Sequence, residues 1–354
     1  MKPEISVIMS VYNGETYLAE AIESVRSQTF QNWELIVIND CSTDATGEIL
    51  ADFSRKDERI KVYTNETNLK LPASLNKAIS LSAGTYIARM DADDICLPDR
   101  LAKQYVFMEE NRDVALSSCR FMTMKNGVYA SGGAGGRCEF EALKAMLLVA
   151  NPILHPGVIA KAEIMKTFGY DTSLTCTEDL ELWTRLAMAN HKIEILPECL
   201  LLYRLHDKQI TSTTLERQHT EVLGIQQKYY GTLLEEMNEE QKAFYIRGIY
   251  FKEDMDIRRF LDYAKWLKRV TTKQFDKQMI QYALLEILAE YKRCGASKGA
   301  VIKAMFHLNP CFVVKDIFRR KKAAKKDIGK CVQVARERGL RQISGTKEYP
   351  IFGE

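Results

Sequence analysis

The sequence predicts an α/β fold, with a mostly parallel sheet flanked by helices over residues 1–212 and a mainly α-helical C-terminal region over residues 213–354. Through the first 120 residues, short β-branched runs alternate with stretches whose apolar residues recur at helical spacing. This alternation is typical of successive strand, helix and strand units. From about residue 215 the pattern changes to long, charged segments of helical period, such as residues 278–293. The change indicates two domains.

Each predicted element follows from its local pattern. Apolar runs predict four buried strands, over residues 5–9, 33–38, 60–63 and 86–90. Apolar residues at helical spacing predict helices between these strands, around residues 18–25, 45–53 and 72–81. The last of these helices has Pro72 in its first turn and ends at Gly84.

The composition is that of a globular protein. A net charge of +3 over 354 residues gives no overall bias toward nucleic acid, so no nucleic-acid partner is expected. The nine cysteines form no CxxC pair and are expected to be reduced thiols. The first residues lead directly into a strand, and no apolar stretch approaches the roughly 20 residues needed to span a bilayer. A cytoplasmic protein is therefore expected.

Three polar loops follow predicted strands, at residues 10–15, 39–44 and 91–94. In open α/β sheets ligands bind outside the carboxyl ends of the parallel strands, so these loops are expected to border one cleft. A glycine-rich GGAGG segment at 132–136 is expected to be a flexible loop. It follows no strong strand and therefore lacks the context of a dinucleotide-binding fingerprint.

The acidic loop after the fourth strand has the chemistry of a metal site. Asp91 and Asp93 are separated by one residue and can point into the same cleft. They offer the hard oxygen ligands that Mg²⁺ or Mn²⁺ prefers, and such an ion often also bridges substrate phosphates. The alternative is a solvated turn of Asp91, Asp93 and Asp94 that caps a helix beginning near Pro98.

Two further acidic positions each allow a functional and a structural interpretation. Asp40 follows a buried strand. Its carboxylate can accept a hydrogen bond from a uracil imide or a ribose, or it can form an Asx turn or a helix cap. Glu178 and Asp179 begin a predicted amphipathic helix. One of these carboxylates can act as a general base, or the pair can only cap the helix.

Four separate sequence blocks, taken together, resemble a known family. They are SVIMSVYNG at 6–14, SQTFQNWELIVINDCSTD at 27–44, GTYIARMDADDICLPDRL at 84–101 and TEDLELWTRLA at 177–187. In this order they resemble the family 2 inverting glycosyltransferases, which have the GT-A fold. The resemblance covers about residues 3–212. It implies a nucleotide diphosphate sugar as donor, with a UDP-sugar favoured, and Mn²⁺ or Mg²⁺ as cofactor.

Carried over residue by residue, the resemblance implies a nucleotide-binding site. Val11, Tyr12 and Asn13 would line the base pocket, and Asp40 would bind the base. The family more often has two aspartates and a glycine where this chain has Asn-Asp-Cys at 39–41. We therefore expect the shape of this loop to differ from the family's while the role of Asp40 is kept.

The resemblance also implies a site for the metal and the diphosphate. Asp93 would be the direct metal ligand, and Asp91 would lie closer to the ribose or sugar or share the metal. His206 would reach the metal or the diphosphate, with a surface position as the alternative. Arg204 or Arg100 would lie near the charge of the diphosphate.

For the chemistry, the resemblance implies that Asp179 is the catalytic base and that Glu178 precedes it in the usual pair. Asp179 would deprotonate the acceptor hydroxyl as it attacks the anomeric carbon opposite the diphosphate, so the anomer is inverted. The implied acceptors are saccharides or lipid-linked saccharides of bacterial surface polysaccharides.

Three other functions stay open at this point. A nucleotidyltransferase would normally show a glycine-rich, basic phosphate loop, which residues 10–14 lack. A non-catalytic module that binds a sugar nucleotide or polysaccharide would not need the Glu178-Asp179 pair together with the acidic loop. A retaining transferase is harder to distinguish from the residues alone.

A basic segment lies in the C-terminal region. Seven of residues 315–326 are lysine or arginine and one is acidic, and three apolar residues precede them. The segment 312–326 can bind an anionic membrane surface, which would place the protein peripherally at the inner face of the cell membrane, near a lipid-linked acceptor. A solvated basic helix face is the alternative.

Overall fold

The chain forms one mixed sheet with helices on both faces. The computed structural model describes residues 2–125, 128–131, 140–148, 150–206, 215–235, 238–250, 260, 262 and 341–342. The strands are β1 Ile5–Val11, β2 Trp33–Asn39, β3 Ile60–Thr64, β4 Tyr86–Arg89, β5 Ile95–Cys96, β6 Val114–Lys125, β7 Val128–Ser131, β8 Ile159–Lys161, β9 Lys192–Arg204 and β10 Arg341–Gln342. The α-helices are α1 Leu18–Arg26, α2 Thr46–Lys56, α3 Lys70–Leu81, α4 Arg100–Glu110, α5 Phe140–Met146, α6 Ala162–Phe168, α7 Glu178–Met188, α8 Leu215–Glu235 and α9 Glu239–Ala243.

The sheet has a parallel half and a mixed half. Strands β3, β2, β1 and β4 are parallel neighbours in that order. Beyond them, β8 pairs antiparallel with β4 and with β6, while β6 pairs parallel with β9. The four predicted strands correspond to β1–β4, and the long strands β6 and β9 were not identified from periodicity. The α/β prediction is confirmed.

Both faces of the parallel half are buried. In β1, Val7 and Met9 pack with Ile22 of α1 on one face, whereas Ile8 packs with Leu75 of α3 on the other. Because neither face meets water, the central strands are mostly apolar and do not alternate between apolar and polar residues. This burial leaves the carboxyl ends of the strands as the edge where polar loops gather.

The described part of the C-terminal region is mostly helical, as predicted. It contains α8, α9 and a π-helical turn at Phe244–Tyr250. Although α8 lies beyond residue 212, Val222 and Ile225 of α8 are buried in the same core as Leu180 and Trp183 of α7. The helix that follows the predicted domain boundary is therefore part of the core of the first domain.

Two predictions concern segments outside the described residues. They are the flexible glycine-rich loop at 132–136 and the basic segment at 312–326. Among the helices that the structure describes, none combines the length and the apolar character required for a membrane-spanning segment.

Candidate active site

The loops after β1, β2 and β4 lie at one edge of the sheet, because these strands are adjacent and parallel. The backbone N–H of Asp40 donates to the carbonyl of Val11 at 2.8 Å. The backbone N–H of Asn13 donates to Ser42 Oγ at 3.0 Å. Tyr12, in the first of these loops, is 53% exposed. The structure thus brings together the residues predicted to line a base pocket.

Two residues of these loops have a left-handed backbone. The φ angle is 51° at Asn13 and 65° at Cys41. Asparagine tolerates this region, whereas glycine is the residue that adopts it without a steric penalty of about 1–2 kcal/mol. The loop keeps a backbone conformation that favours glycine although Cys41 stands there. Cys41 therefore adds strain to this loop.

Asp40 is buried, with 2% of its surface exposed, and organises the segment before α3. Its Oδ1 accepts hydrogen bonds from Asn65 Nδ2 at 2.7 Å and from the N–H of Leu69 at 2.8 Å. Its Oδ2 accepts from the N–H of Lys70 at 2.9 Å. A carboxylate has about four acceptor positions, so Oδ2 keeps capacity for one more donor. At the start of α2 it is Asp44, rather than Asp40, that accepts a backbone N–H.

Asp91, Asp93 and Asp94 form an acidic cluster, with one oxygen from each lying within 4.8 Å of the others. Asp94 is fully buried, so a solvated turn does not describe the loop. Its Oδ1 accepts the N–H of Arg204 at 2.8 Å, and its Oδ2 has no hydrogen-bond partner among the described residues. Burial first, and then the neighbouring carboxylates, raise the pKa of Asp94. An orphaned buried oxygen beside two carboxylates fits Mg²⁺ or Mn²⁺, whose charge would keep the cluster ionised.

Arg89, at the end of β4, is a buried cation that no sequence motif indicated. Its guanidinium forms an ion pair with Asp91. Its charge also acts to lower the pKa of Asp94, Glu178 and Asp179, against the effect of burial. The charge of Arg89 therefore acts both on the acidic cluster and on the Glu178-Asp179 pair.

The end of β9 brings Arg204 and His206 to the acidic cluster. His206 Nε2 lies 2.9 Å from Asp93 Oδ2, although 113 positions separate the two residues. Arg204 Nε donates to the carbonyl of Asp93 at 2.7 Å. Both side chains rest on Tyr17, with 5.3 Å between the rings of His206 and Tyr17. The structure therefore places both predicted residues beside Asp93.

Glu178 and Asp179 occupy the first turn of α7, as predicted, but their surroundings differ. Asp179 is half-buried, and its Oδ1 and Oδ2 accept hydrogen bonds from the N–H of Leu180 at 2.6 Å and from Asn151 Nδ2 at 2.8 Å. Glu178 is only 4% exposed. Its Oε1 lies 3.9 Å from His155 Nδ1, and its Oε2 has no hydrogen-bond partner among the residues described. Asp179 is the more accessible carboxylate.

The electrostatics also distinguish the two acids. Burial, followed by the adjacent Asp179 carboxylate, raises the pKa of Glu178 to about 8. Burial also raises the pKa of Asp179, but the hydrogen bonds from Leu180 and Asn151 favour its ionised form. At neutral pH Glu178 is therefore mostly protonated, and Asp179 is the better candidate for a general base.

Glu178→Gln is expected to improve stability at mildly alkaline pH. Since the pKa of Glu178 rises from 4.5 to about 8 on folding, the folded protein keeps a proton that the unfolded chain has lost. The free energy of unfolding therefore falls as the pH rises through this range, and a neutral glutamine avoids that loss. In urea unfolding, the free energy of unfolding of the variant should exceed that of the wild type by about a few kcal/mol near pH 8. The difference should be much smaller near pH 5. Identical pH dependence in both proteins would contradict the raised pKa.

Sequence similarity relates this site to a known family. Residues 6–159 match the family model described as Glycosyl transferase family 2. An uncharacterized glycosyltransferase of Methanocaldococcus jannaschii is 33% identical over 253 residues, which cover 71% of this chain and 84% of that protein. The chain belongs to glycosyltransferase family 2. The O-antigen biosynthesis glycosyltransferase WbnJ of Escherichia coli is 33% identical over 217 residues, covering 60% of the transferase and 83% of WbnJ.

Solved structures share the fold of the transferase. TarS 1-349 of S. aureus, in complex with UDP, has a TM-score of 0.52 at 18% identity and covers 88% of the transferase and 92% of its own chain. The mannosyltransferase PcManGT from Pyrobaculum calidifontis, in complex with GDP-Man and Mn²⁺, has a TM-score of 0.51 at 15% identity, with coverages of 93% and 88%. At these identities the likeness is one of fold, and it confirms the GT-A prediction.

One predicted site residue of the transferase does not belong to the site. Arg100 is completely buried, and its guanidinium donates to the carbonyl of Arg89 at 2.7 Å, to that of Val158 at 3.2 Å and to Gln104 Oε1 at 3.0 Å. Because the guanidinium of Arg100 is buried and fully engaged, the prediction that Arg100 binds the donor near its diphosphate is wrong. Arg100 instead satisfies backbone carbonyls in the core beneath the acidic cluster.

Three residues near the Glu178-Asp179 pair of the transferase were not predicted either. Asn151 holds Asp179, and His155 faces Glu178 while its Nε2 lies 2.7 Å from the hydroxyl of Tyr170. Burial, followed by the charge of Arg89, lowers the pKa of His155 well below its usual value, so the ring is neutral. Asn151 and His155 follow α5 without any periodic pattern, so no local signal distinguished them from ordinary loop residues.

Proposed function

We propose that this transferase moves a sugar from a nucleotide diphosphate sugar, with a UDP-sugar favoured, onto an acceptor hydroxyl, with metal dependence and inversion at the anomeric carbon. The observation that supports it most strongly is the acidic cluster of Asp91, Asp93 and Asp94, in which the buried Asp94 Oδ2 has no hydrogen-bond partner among the described residues. The charge of Arg89, which pairs with Asp91, also acts on the Glu178-Asp179 pair. The cluster suits a cation with a diphosphate, and the pair suits removal of a proton from the acceptor.

The nucleotide side of the site fits a uracil base. The exposed ring of Tyr12 can stack on a base, and Asp40 Oδ2 keeps room for one donor. A uracil imide presents one N–H, whereas the guanine edge presents two neighbouring N–H donors that would compete for that oxygen. The solved neighbours bind UDP, UDP-GlcNAc or GDP-Man, which supports a nucleotide sugar as the donor class.

In the proposed reaction, the acceptor oxygen bonds to the anomeric carbon as the bond to the diphosphate breaks. Asp179 takes the proton of the acceptor hydroxyl, and the hydrogen bonds from Asn151 and Leu180 fix its orientation. Asp93, Asp94 and His206 would hold Mg²⁺ or Mn²⁺, which, when bound, neutralises charge that develops on the departing diphosphate. Displacement from the opposite face in one step gives the inverted anomer.

The test combines a donor screen with the configuration of the product. UDP-sugars and GDP-sugars are incubated with saccharide acceptors, with and without Mn²⁺, and the product anomer is read by NMR. We expect turnover of a UDP-sugar that requires the metal and inverts the anomeric carbon. A retained configuration would contradict the role of Asp179, and turnover of GDP-sugars alone would contradict the preference for uridine.

A surface polysaccharide, or its lipid-linked precursor, is the proposed acceptor. The similarity to a protein named for O-antigen biosynthesis supports this class of acceptor. The basic segment at 312–326 would hold the enzyme at the anionic inner face of the cell membrane, where lipid-linked saccharides lie.

Replacing the seven basic residues of 315–326 by glutamine is expected to weaken binding to anionic liposomes and to leave turnover of a soluble acceptor unchanged. Each basic residue near an anionic surface contributes about 1 kcal/mol. Substitution is preferable to truncation, because truncation would also remove β10, which pairs with β7.

Flotation with phosphatidylserine-containing liposomes measures this binding, and neutral phosphatidylcholine liposomes are the control. High salt should release the wild-type protein, since the Debye length falls from about 10 Å at 0.1 M to about 3 Å at 1 M. Equal flotation of variant and wild type at low salt would mean that the segment is a solvated helix face.

A further inference from the structure

A residue of the C-terminal region binds the segment that leads into α7, the helix that begins with Glu178 and Asp179. Glu221 of α8 lies against the three residues that precede α7. Its Oε2 accepts hydrogen bonds from Thr177 Oγ1 at 2.8 Å and from the N–H of Cys176 at 3.2 Å. Its Oε1 accepts from Thr175 Oγ1 at 3.3 Å. One carboxylate therefore binds three consecutive residues just before Glu178.

This contact replaces the usual way in which a helix start is fixed. Thr177 is the N-cap residue of α7, and a threonine there normally accepts a backbone N–H of the first turn. In this chain the side chain of Thr177 makes no such bond, and its hydroxyl donates to Glu221 instead. Arg217 Nε, one turn earlier on α8, donates to Glu221 Oε1 at 3.1 Å and steadies the carboxylate. The start of α7 is thus positioned by another helix.

Contacts further along α7 prevent α8 from moving independently. Glu181, buried on α7, accepts hydrogen bonds from the hydroxyl of Tyr229 at 2.6 Å and from Lys228 Nζ at 3.1 Å, both on α8. Val222 and Ile225 of α8 pack into the core that α7 shares. Helix α8 is therefore anchored to α7 on either side of Asp179. Glu221 thus holds the 175–177 segment to a helix whose own position is fixed.

We propose that Glu221 is a positioning residue for Asp179, an inference that rests on the proposed role of Asp179 as the general base. Asp179 follows Thr177 by two positions, so a shift of the 175–177 segment moves its carboxylate relative to the acceptor hydroxyl. A displacement of about 1 Å at a reacting group can cost about 10² in rate. Glu221 acts through the backbone of this segment and is not itself a catalytic residue.

Glu221→Gln tests the proposal in the full-length chain. Glutamine keeps the size of the side chain but replaces one acceptor oxygen with an NH₂ group, which cannot accept from the donors of 175–177. We expect kcat to fall about 10-fold or more, with the KM for the donor and the affinity for UDP within about twofold of wild type. Glu216→Gln, the same change at an exposed position of α8, is the matched control and should leave both constants unchanged.

The Asp179→Asn background separates positioning from a general structural effect. If Glu221 acts through Asp179, Glu221→Gln causes no further loss of kcat once Asp179 is asparagine. A further loss of the same size would overturn the proposal, as would wild-type kcat in Glu221→Gln alone. Near-normal kcat in Asp179→Asn alone would instead overturn the proposed function, so the two failures are distinguishable.

Two additional variants test the same contact without depending on the folding of Glu221→Gln or on the loss of its charge. Thr177→Val removes the hydroxyl that donates to Glu221 at nearly constant volume, and it should lower kcat in the same direction even if Glu221→Gln folds poorly. Glu221→Asp keeps the charge but shortens the side chain, so it should also lose activity. Full activity in both variants would show that neither the hydrogen bond nor the reach of Glu221 matters, which would overturn the proposal.

Discussion

Asp179→Asn is expected to lower kcat by about 10² or more and to leave donor affinity nearly unchanged. Asparagine has the size of aspartate and can still accept the N–H of Leu180, but it cannot take a proton from the acceptor. The NH₂ group of asparagine also cannot accept from Asn151 Nδ2, but both losses concern the proposed base, so the effect should fall on the chemical step rather than on donor binding. Initial rates at saturating donor, together with calorimetry of UDP binding, measure the two quantities.

Glu178→Gln is the comparison for this experiment. Glu178 is buried and mostly protonated at neutral pH, so its neutral replacement should keep kcat within a few fold of wild type. The assignment would reverse if Asp179→Asn retained kcat while Glu178→Gln lost it. A loss in both variants, with unchanged stability, would mean that the pair works as a unit.

Asp93→Ala is expected to abolish the part of UDP binding that depends on Mn²⁺. Asp93 lies in the acidic cluster and faces His206, so its removal takes one oxygen ligand from a small site. Few ligands remain to hold a hard cation against water, and the diphosphate loses its counter-charge. Calorimetric titration of UDP with and without Mn²⁺ measures the effect without any need for turnover.

Asp113→Ala provides the matched control for the loss of an aspartate. Its side chain is 69% exposed and pairs with Lys192 at the surface. This variant should bind UDP with the same dependence on Mn²⁺ as the wild type. If Asp93→Ala also kept that dependence, Asp93 would not be a metal ligand, and Asp91 would be the next candidate to act together with Asp94.

Local sequence patterns were sufficient to predict the parallel half of the sheet and the position of the acidic loop. Strands β1 and β2 are buried on both faces and are therefore mostly apolar runs, which can be found from a short window of the sequence. The same patterns did not reveal β6 and β9, because β6 contains partly exposed residues and its pairing with β9 has three register shifts. Such strands depend on their neighbours more than on their own periodicity.

The amino-acid sequence by itself determined the α/β class, the family and the residues at the three loop ends, because these depend on periodicity and on motifs of adjacent residues. Only the tertiary structure decided that Asp179 is more accessible than Glu178, that Arg100 is a core residue, and that Arg89 is the buried cation of the site. Burial and hydrogen bonding are set by residues distant in the chain. Asn151 lies 28 positions before Asp179, and Glu221 lies 44 positions after Thr177, so only folding could bring either pair into contact.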